Sequence, residues 1–464
     1  MVMTHKRETA PEKAESLDGL KVLIIGAGFG GLASAIELQH RGAAVTVLEA
    51  SPDMKKQGDV IMMGPNATMI MKKWGDCLPE LLKGAARPRH MVVSNRMGKV
   101  YLRQELEQDF GGNPGCYTSR GRTQQIMYDY ATSLGVKVIF DSRVTGVSET
   151  VEEATVVVGE KKYDGDLVIA ADGVHSKARG LVVGVQDRPS KSGFAVYRSW
   201  FDFDVLRQNP ETNFLADSKE ALFQIWIDTD MHAIISTNPN LQKATCFLTH
   251  KDTADIKEDW NIPGDPEQML LMVKDWDPIL TEVVKLIPKD CLIDYKLLWR
   301  DPVRKWVSDH GRVALVGDAA HPHLSTSGTG GAQAIEDAAT IAVLLEKLGK
   351  GEIPLAMRAF EKLRYERTSL TQRMGFETRH VWHQTDWDAV SKDPELLKFP
   401  QPAWLNGIDA GDYAARRCNE VVAHLQSGVP FVSTNVPEGY QHEDWTIEEM
   451  LAHEGKKGEF YKTR

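Results

Sequence analysis

Two charged residues, Arg198 and Asp59, could carry acid–base chemistry. Arg198 stands in the largely apolar run 196–200, and Asp59 is followed directly by Val60 and Ile61. A buried arginine must pair with an acid or reach into a cavity, because an unpaired buried charge is costly. We therefore predict that Asp59 and Arg198 are catalytic and act as an acid–base pair. A surface salt bridge or a loop cap is the alternative for these residues.

A glycine-rich turn near the start of the chain could bind a pyrophosphate. Gly26, Gly28 and Gly31 have the spacing GxGxxG and follow the apolar strand pattern 21–25. The first glycine permits a tight turn, the second lets the backbone approach the phosphates, and the third lets the next helix lie close to the strand. Glu49 ends the second predicted strand, where an acid accepts hydrogen bonds from a ribose. The motif predicts a dinucleotide site of the Rossmann type.

Two further motifs, far along the chain, also follow short apolar strands. The first strand pattern, 166–171, ends in a carboxylate and a glycine, and the second, 312–316, ends in a glycine and a carboxylate. A glycine segment then opens a long helix, whose N-terminal amides stabilise negative charge. The candidate cofactor residues of these two motifs are Asp172, Gly173, Gly317, Asp318, Pro322, Gly328, Gly330 and Gly331.

The three motifs, in this order, resemble those of the FAD-dependent aromatic monooxygenases with the para-hydroxybenzoate hydroxylase fold. The resemblance covers roughly residues 20–372. It implies that Asp318 contacts the ribityl chain and that Pro322 lies near the reactive edge of the flavin. Arg120 and Gln124 match a helix start that contacts FAD in this family, although the neighbouring Arg122 leaves open which arginine faces the cofactor.

The resemblance also implies the reaction. NADPH or NADH reduces the flavin, molecular oxygen forms a C4a-hydroperoxide, and one oxygen atom enters an electron-rich aromatic or indole substrate. The overall pattern is similar to fungal salicylate-hydroxylase-like enzymes of secondary metabolism. Within that group we favour epoxidation of an indole 2,3-bond and a semipinacol rearrangement in alkaloid biosynthesis. The alternatives are a phenol or salicylate hydroxylase or dearomatase, a flavin halogenase, and a flavin-binding protein without turnover.

The predicted fold is α/β, with a Rossmann-type FAD domain, an antiparallel-sheet substrate domain and C-terminal helices. Alternating strand patterns between the motifs indicate the substrate domain, because one face of such strands is buried and the other is wet. The predicted units are a flexible tail over 1–19, an FAD-binding domain over 20–85, 105–185 and 290–372, a substrate domain over 86–104 and 186–289, and a helical appendage over 373–464.

Composition excludes several other classes of protein. The formal net charge is −10, and no basic stripe points to nucleic acid. No apolar run is long enough for a membrane helix, and the N-terminus lacks a signal-peptide pattern, so we expect a cytoplasmic protein. His321 has no second ligand at metal spacing, so we expect no metal. We expect a monomer or a homodimer.

Overall fold

The chain folds around two sheets in the computed structural model, which describes residues 16–54, 59–184, 189–253 and 262–454. The strands are β1 Lys21–Ile25, β2 Ala44–Leu48, β3 Val60–Met63, β4 His90–Asn95, β5 Val100–Glu105, β6 Asp109–Phe110, β7 Asn113–Pro114, β8 Cys116–Ser119, β9 Lys137–Ile139, β10 Gly146–Glu149, β11 Ala154–Val158, β12 Lys161–Gly165, β13 Leu167–Ala170, β14 Ser190–Ser199, β15 Phe201–Asp202, β16 Phe223–Asp228, β17 Met231–Asn238, β18 Lys243–Lys251, β19 Leu292–Trp299 and β20 Val313–Leu315.

Helices cover the sheets and connect them. They are α1 Phe29–Gln39, α2 Pro65–Met71, α3 Cys77–Lys83, α4 Arg120–Ser133, α5 Ala178–Val183, α6 Phe203–Leu206, α7 Asn213–Asp217, α8 Pro266–Val273, α9 Pro278–Leu286, α10 Gly330–Leu348, α11 Ile353–His383, α12 Trp387–Lys392, α13 Ala403–Asn406, α14 Ala410–Ser427 and α15 Ile447–Glu454. None of the helices in the described part of the chain is long and apolar enough to cross a membrane.

The first sheet has five parallel strands in the order β20-β13-β1-β2-β9. Its central strands are short and buried along nearly their whole length, as expected for a parallel sheet that is covered on both faces. β1, β13 and β20 are neighbours, and each is followed by one of the three motifs. Because parallel strands end at the same edge of a sheet, this order brings the motifs together.

The turn after β1 requires glycine at two positions. Gly26 has a φ of +95°, and a methyl group there would come within 2.6 Å of the carbonyl oxygen of Ala171. A methyl group on Gly31 would collide with the carbonyl oxygen of Gly26. Helix α1 therefore lies directly against the turn, as the GxGxxG spacing predicts.

The second sheet has eight strands, seven of them in the order β19-β14-β18-β17-β16-β4-β5, while β15 pairs with β18. The pairs are antiparallel except β16 with β4, which is parallel. The predicted antiparallel sheet is therefore mixed at this one place. The physical reason is that β4 arrives from a distant part of the chain, and only a long connection can join parallel strands.

One strand of the second sheet lies where the sequence predicted the FAD-binding domain. β19 falls in the segment 290–372, yet it pairs with β14 over Ser190–Ser199. The substrate sheet therefore takes strands from three separate parts of the chain, around residues 90–105, 190–251 and 292–299.

The C-terminal helices α11 and α14 pack on α10, which lies against α1, and α11 also reaches the second sheet. Helix α11 has 31 residues and runs through residue 372, where the sequence predicted a domain boundary. It packs against α10 and α14 and also contacts β16 and β17. Helix α11 thus joins the helices of the FAD-binding part to the second sheet.

The N-terminal tail predicted over 1–19 lies mostly outside the described residues. Near its end, Leu17 is fully buried, and its N–H donates to the carbonyl oxygen of Arg41 at 2.9 Å. The packed chain therefore begins a few residues earlier than the sequence predicted.

Candidate active site

A cavity of about 370 Å³ lies between the three motifs and one face of the eight-stranded sheet. Nine of the predicted cofactor residues line it, and five do not. The lining residues are Gly28, Arg120, Gly173, Gly317, Asp318, Pro322, Gly328, Gly330 and Gly331. The described residues that line it do not include Gly26, Gly31, Glu49, Gln124 or Asp172.

The two carboxylates outside the lining, Glu49 and Asp172, accept hydrogen bonds from backbone N–H groups of nearby turns. Glu49 accepts hydrogen bonds from the N–H of Ala27 at 2.7 Å and of Ser51 at 2.8 Å. Asp172 accepts from the N–H of Lys177 at 2.7 Å. These contacts fix the loops at the edge of the parallel sheet, so both acids shape the site even where they do not face the cavity.

The geometry decides which arginine at the start of α4 faces the cavity. Arg120 lines the cavity, and its guanidinium lies 5.7 Å from the ring centroid of Phe29. Arg122 instead donates to the carbonyl oxygen of Glu80 at 2.7 Å. Arg120 is therefore the arginine of this helix start that faces the cavity, and its contact with the cofactor stays a prediction.

The nucleotide side of the cavity fits FAD. A methyl group on Gly28 or on Gly173 would meet no atom within 4 Å, and both residues line the cavity. A pyrophosphate can approach the backbone closely only where no side chain stands in the way, as at these two glycines. Asp318 is partly buried, and desolvation raises its pKa while the charge of Arg120 lowers it in part. A carboxylate that lines the cavity here can accept a hydrogen bond from a ribityl hydroxyl.

The second and third motifs are joined by Arg179, which the sequence did not single out. Its Nε donates to the carbonyl oxygen of Ala319 at 2.8 Å, and a terminal nitrogen donates to that of Asp318 at 2.7 Å. Arg179 is buried. The charge-assisted bonds fix the backbone of the third motif against the loop of the second.

A buried acid on α10, Asp337, accepts hydrogen bonds from two residues of the third motif. Asp337 accepts hydrogen bonds from the N–H of Gly317 at 2.9 Å and from Nε2 of His321 at 2.6 Å. His321 is therefore a structural residue, and the described residues contain no group of three or more His, Cys, Asp or Glu side chains that could hold a metal.

Two buried arginines of α11 balance the acids of α10. Arg364 binds Asp337 through Nε at 2.8 Å and also binds Glu336, and Arg367 binds Glu336 through Nε at 2.8 Å. Burial raises the pKa of Glu336, but Arg367 and Arg364 outweigh it and hold this pKa at about 2. These ion pairs join α10 to α11.

Asp59 and Arg198 form an ion pair, with 2.6 Å between Oδ2 of the acid and a terminal nitrogen of the arginine. The two side chains are only 12% and 13% exposed, respectively. Arg198 lines the cavity and lies 4.7 Å from the ring centroid of Phe247. Burial lowers the pKa of Arg198, and Asp59 raises it in part. The structure thus brings the two predicted catalytic residues together, and a surface salt bridge does not describe them.

Alternate residues of the sheet form the other wall of the cavity. Side chains in a strand point to opposite faces, so every second residue reaches the same side. The lining residues from the sheet include Met91, Val196, Arg198, Phe223, His232, Ile234, Phe247, Thr249, Tyr295, Leu297 and Trp299. Strand β19, which the sequence analysis did not predict, contributes Tyr295, Leu297 and Trp299. The alternation within Leu292–Trp299 was the signal that could have found them.

The fold and this cavity define a flavin-dependent oxidoreductase with a separate substrate sheet. The sequence matches the family described as "FAD binding domain" over residues 19–357. It is 34% identical over 436 residues to the FAD-dependent monooxygenase nanF of Aspergillus nanangensis, covering 92% of this chain and 95% of that protein. The chain belongs to this family of FAD-dependent monooxygenases.

Solved structures agree with this assignment. The crystal structure of FqzB is 33% identical, with a TM-score of 0.83, and the match covers 92% of this chain and 99% of FqzB. CtdE, solved with FAD and a substrate, is 30% identical with a TM-score of 0.83, over 88% of this chain and 100% of CtdE. The fold is also that of salicylate hydroxylase. The predicted fold class, the FAD cofactor and the monooxygenase class are confirmed.

Proposed function

We propose that this monooxygenase oxidises the 2,3-bond of an indole in alkaloid biosynthesis, and that the Asp59–Arg198 pair directs the rearrangement of the resulting epoxide. NADPH or NADH is the reductant and molecular oxygen the oxidant. The observation that carries the proposal is the ion pair of 2.6 Å beside the cavity. A hydroxylation of a simple phenol does not need such a pair after the oxygen atom has been transferred.

Bound FAD supplies the oxygen chemistry, and the residues of this chain hold it and the substrate in place. Gly28 and Gly173 leave open space at the cavity, so they, Arg120 and Asp318 would hold the cofactor, with Asp318 accepting from its ribityl chain. The aromatic wall of the sheet excludes water from the reacting ring. The match to CtdE with FAD and a substrate supports a small molecule at this wall.

Arg198 is the group that can stabilise an oxygen as the epoxide opens. A guanidinium remains charged and donates hydrogen bonds, so it can bind the developing alkoxide at C2 or C3. Once the C–O bond breaks, a substituent migrates to the neighbouring carbon and the alkoxide becomes a carbonyl. The product is an isomer of the epoxide, so this step needs no further oxidant.

Asp59 keeps the guanidinium charged and oriented in this buried place. Its second carboxylate oxygen, Oδ1, is buried and has no hydrogen-bond partner among the described residues. The main chain of Asp59 is also fixed, because its carbonyl oxygen accepts from the N–H of Arg120 at 2.8 Å.

The test is stopped-flow kinetics with product analysis on the purified yellow protein. NADPH and NADH are supplied in turn, with a panel of 3-substituted indoles and a panel of phenolic acids. We expect indoles, and not phenolic acids, to stimulate reduction and to give oxygenated, rearranged products. The reverse preference would support the phenol hydroxylase alternative instead.

The variant Asp59→Ala isolates the role of the pair. We expect it to bind FAD normally but to form rearranged product about 100-fold more slowly, or in a changed ratio, because general acid–base and electrostatic groups contribute on this scale. Asp294→Asn is the control, since Asp294 is a buried acid on β19 that contacts His250 and not Arg198. An Asp59→Ala enzyme that makes the same product at the same rate would remove the acid from the mechanism.

A further inference from the structure

A chain of three polar side chains leads from helix α11 to the cavity wall. Nε2 of His383 lies 2.8 Å from Nδ1 of His232, and Nε2 of His232 lies 3.2 Å from the hydroxyl oxygen of Thr249. His232 and Thr249 are directly opposite each other on β17 and β18, and both line the cavity. All three residues are buried. Nothing in the reaction described above uses them.

The imidazole rings of His232 and His383 are both neutral near pH 7. Burial lowers the pKa of His232 to about 3, with a further contribution from Arg379. Burial also lowers the pKa of His383 to about 2, with contributions from His232 and Arg379. A neutral imidazole carries one donor and one acceptor, so each ring passes a hydrogen bond in a single direction.

The surroundings of His383 set that direction. Its Nδ1 is buried and has no hydrogen-bond partner among the described residues. A proton at Nδ1 would leave a stranded N–H, which is rare and costly in a protein interior. The proton therefore belongs on Nε2 of His383, which donates to His232. His232 then donates from Nε2 to the oxygen of Thr249.

The hydroxyl hydrogen of Thr249 is left without an acceptor in the described part of the protein. Its oxygen accepts from His232, and no second hydrogen bond of the Thr249 side chain is found there. Because Thr249 lines the cavity, this hydrogen is available to a ligand. Thr249 also lies two residues from Phe247 on β18, or about 7 Å along the strand, and the Phe247 ring contacts Arg198.

We propose that the Thr249 hydroxyl, oriented by His232 and His383, donates a hydrogen bond to a carbonyl oxygen on the side chain of the substrate. This inference rests on the proposed function and adds the substrate class, which is a 3-substituted indole with a carbonyl group a few bonds from the ring. Thr249 contacts the substrate, whereas His232 and His383 are positioning residues. In this arrangement the Asp59–Arg198 pair acts on the indole ring of the substrate. Thr249, oriented by His232 and His383, binds the side chain of the substrate.

A matched pair of ligands tests the hydrogen bond directly. The probes are 4-(indol-3-yl)butan-2-one and 3-butylindole, which differ only in the replacement of the carbonyl by a methylene group. Binding to the FAD-loaded enzyme is measured by the change in flavin absorbance, without turnover. We expect the wild type to bind the ketone about tenfold more tightly, the size expected of one well-placed hydrogen bond.

Two pairs of variants separate the hydrogen bond from a general structural effect. Thr249→Val keeps the shape but removes the hydroxyl, so the ketone preference should disappear, and Thr249→Ser should restore it. His383→Leu removes the donor to His232 and should lower the preference to about threefold, while His383→Gln, which can still donate, should retain it. A purely structural role would change the affinity for both ligands and leave their ratio unaltered.

Each other outcome counts against the proposal in a distinguishable way. Equal affinity of the wild type for the two ligands, with oxygenated indole as product, overturns the carbonyl contact and leaves the proposed function standing. A ketone preference that survives in Thr249→Val assigns the contact to another residue and also overturns it. If neither ligand changes the flavin absorbance and neither stimulates reduction, both the carbonyl contact and the indole function are overturned.

Discussion

The two walls of the cavity are built from different parts of the polypeptide. On the nucleotide wall, backbone atoms face the cavity, at Gly28, Gly173 and the glycines from Gly328 to Gly331. On the substrate wall, large side chains such as Phe247 and Trp299 face it. A wall made of backbone recognises a part common to every FAD molecule, whereas a wall made of side chains can change its shape residue by residue. The difference explains why the cofactor is easier to identify than the substrate.

The largest expected effect comes from the buried charges behind the nucleotide wall. In Arg367→Met, Glu336 loses a partner that it binds at 2.8 Å in a fully buried place. Removing one side of a buried ion pair costs about 3–5 kcal/mol, so we expect a large loss of thermal stability and of bound FAD. Differential scanning calorimetry and the flavin content measure both. Lys305→Ala, which breaks an exposed pair with Asp309, is the control and should change stability by less than about 1 kcal/mol.

The same network predicts a loss of stability in acid. Burial works against ionised Glu336, yet Arg367 and Arg364 hold its pKa at about 2, below the unfolded value of 4.5. Because the folded pKa is depressed, the contribution is fully present above pH 4.5 and is lost as the pH falls from 4.5 towards 2. It amounts to about 3 kcal/mol. In Glu336→Gln this part of the pH dependence should be absent, and an unchanged acid-unfolding profile in that variant would contradict the assignment.

Two glycine variants should behave differently although they lie three residues apart. A methyl group on Gly31 collides with the carbonyl oxygen of Gly26, so Gly31→Ala should destabilise the apoprotein by about 1–3 kcal/mol. A methyl group on Gly28 meets only open space, so Gly28→Ala should fold normally and bind FAD about 10- to 100-fold more weakly. Apoprotein melting and FAD titration distinguish the two. Normal FAD affinity in Gly28→Ala would mean that the pyrophosphate does not approach that backbone.

The sequence predicts best those features of the fold and the site that are formed by residues close together in the chain. The GxGxxG turn and the motifs at Asp172 and Gly317 are local, and their places at the ends of neighbouring strands follow from the parallel fold. The pairing of Asp59 with Arg198 was also predictable, because Arg198 interrupts an apolar strand and a buried arginine needs an acidic partner.

The features that the sequence did not predict depend on contacts between distant segments. β19 joins the substrate sheet only because it pairs with β14, about a hundred residues earlier in the chain. The chain from His383 to Thr249 needs the end of α11 to meet β17, which no short pattern specifies. The parallel pairing of β4 with β16 has the same origin. The substrate wall is therefore the part of the molecule for which the structure adds most.

The smallest expected effect concerns the substrate wall itself. Phe247→Leu removes the ring that lies 4.7 Å from the guanidinium of Arg198, a contact worth about 1–2 kcal/mol because the guanidinium is largely buried. We expect a small change in stability and none in FAD content, but a changed product ratio, because Arg198 loses the flat surface that orients it. Cys246→Ala is the matched control, since Cys246 is buried on the opposite face of the same strand and should lose about 1 kcal/mol without altering the products. If both variants change the product ratio equally, the selectivity depends on the stability of the sheet and not on the position of Arg198. The contrast between a backbone wall and a side-chain wall would then no longer account for the selectivity.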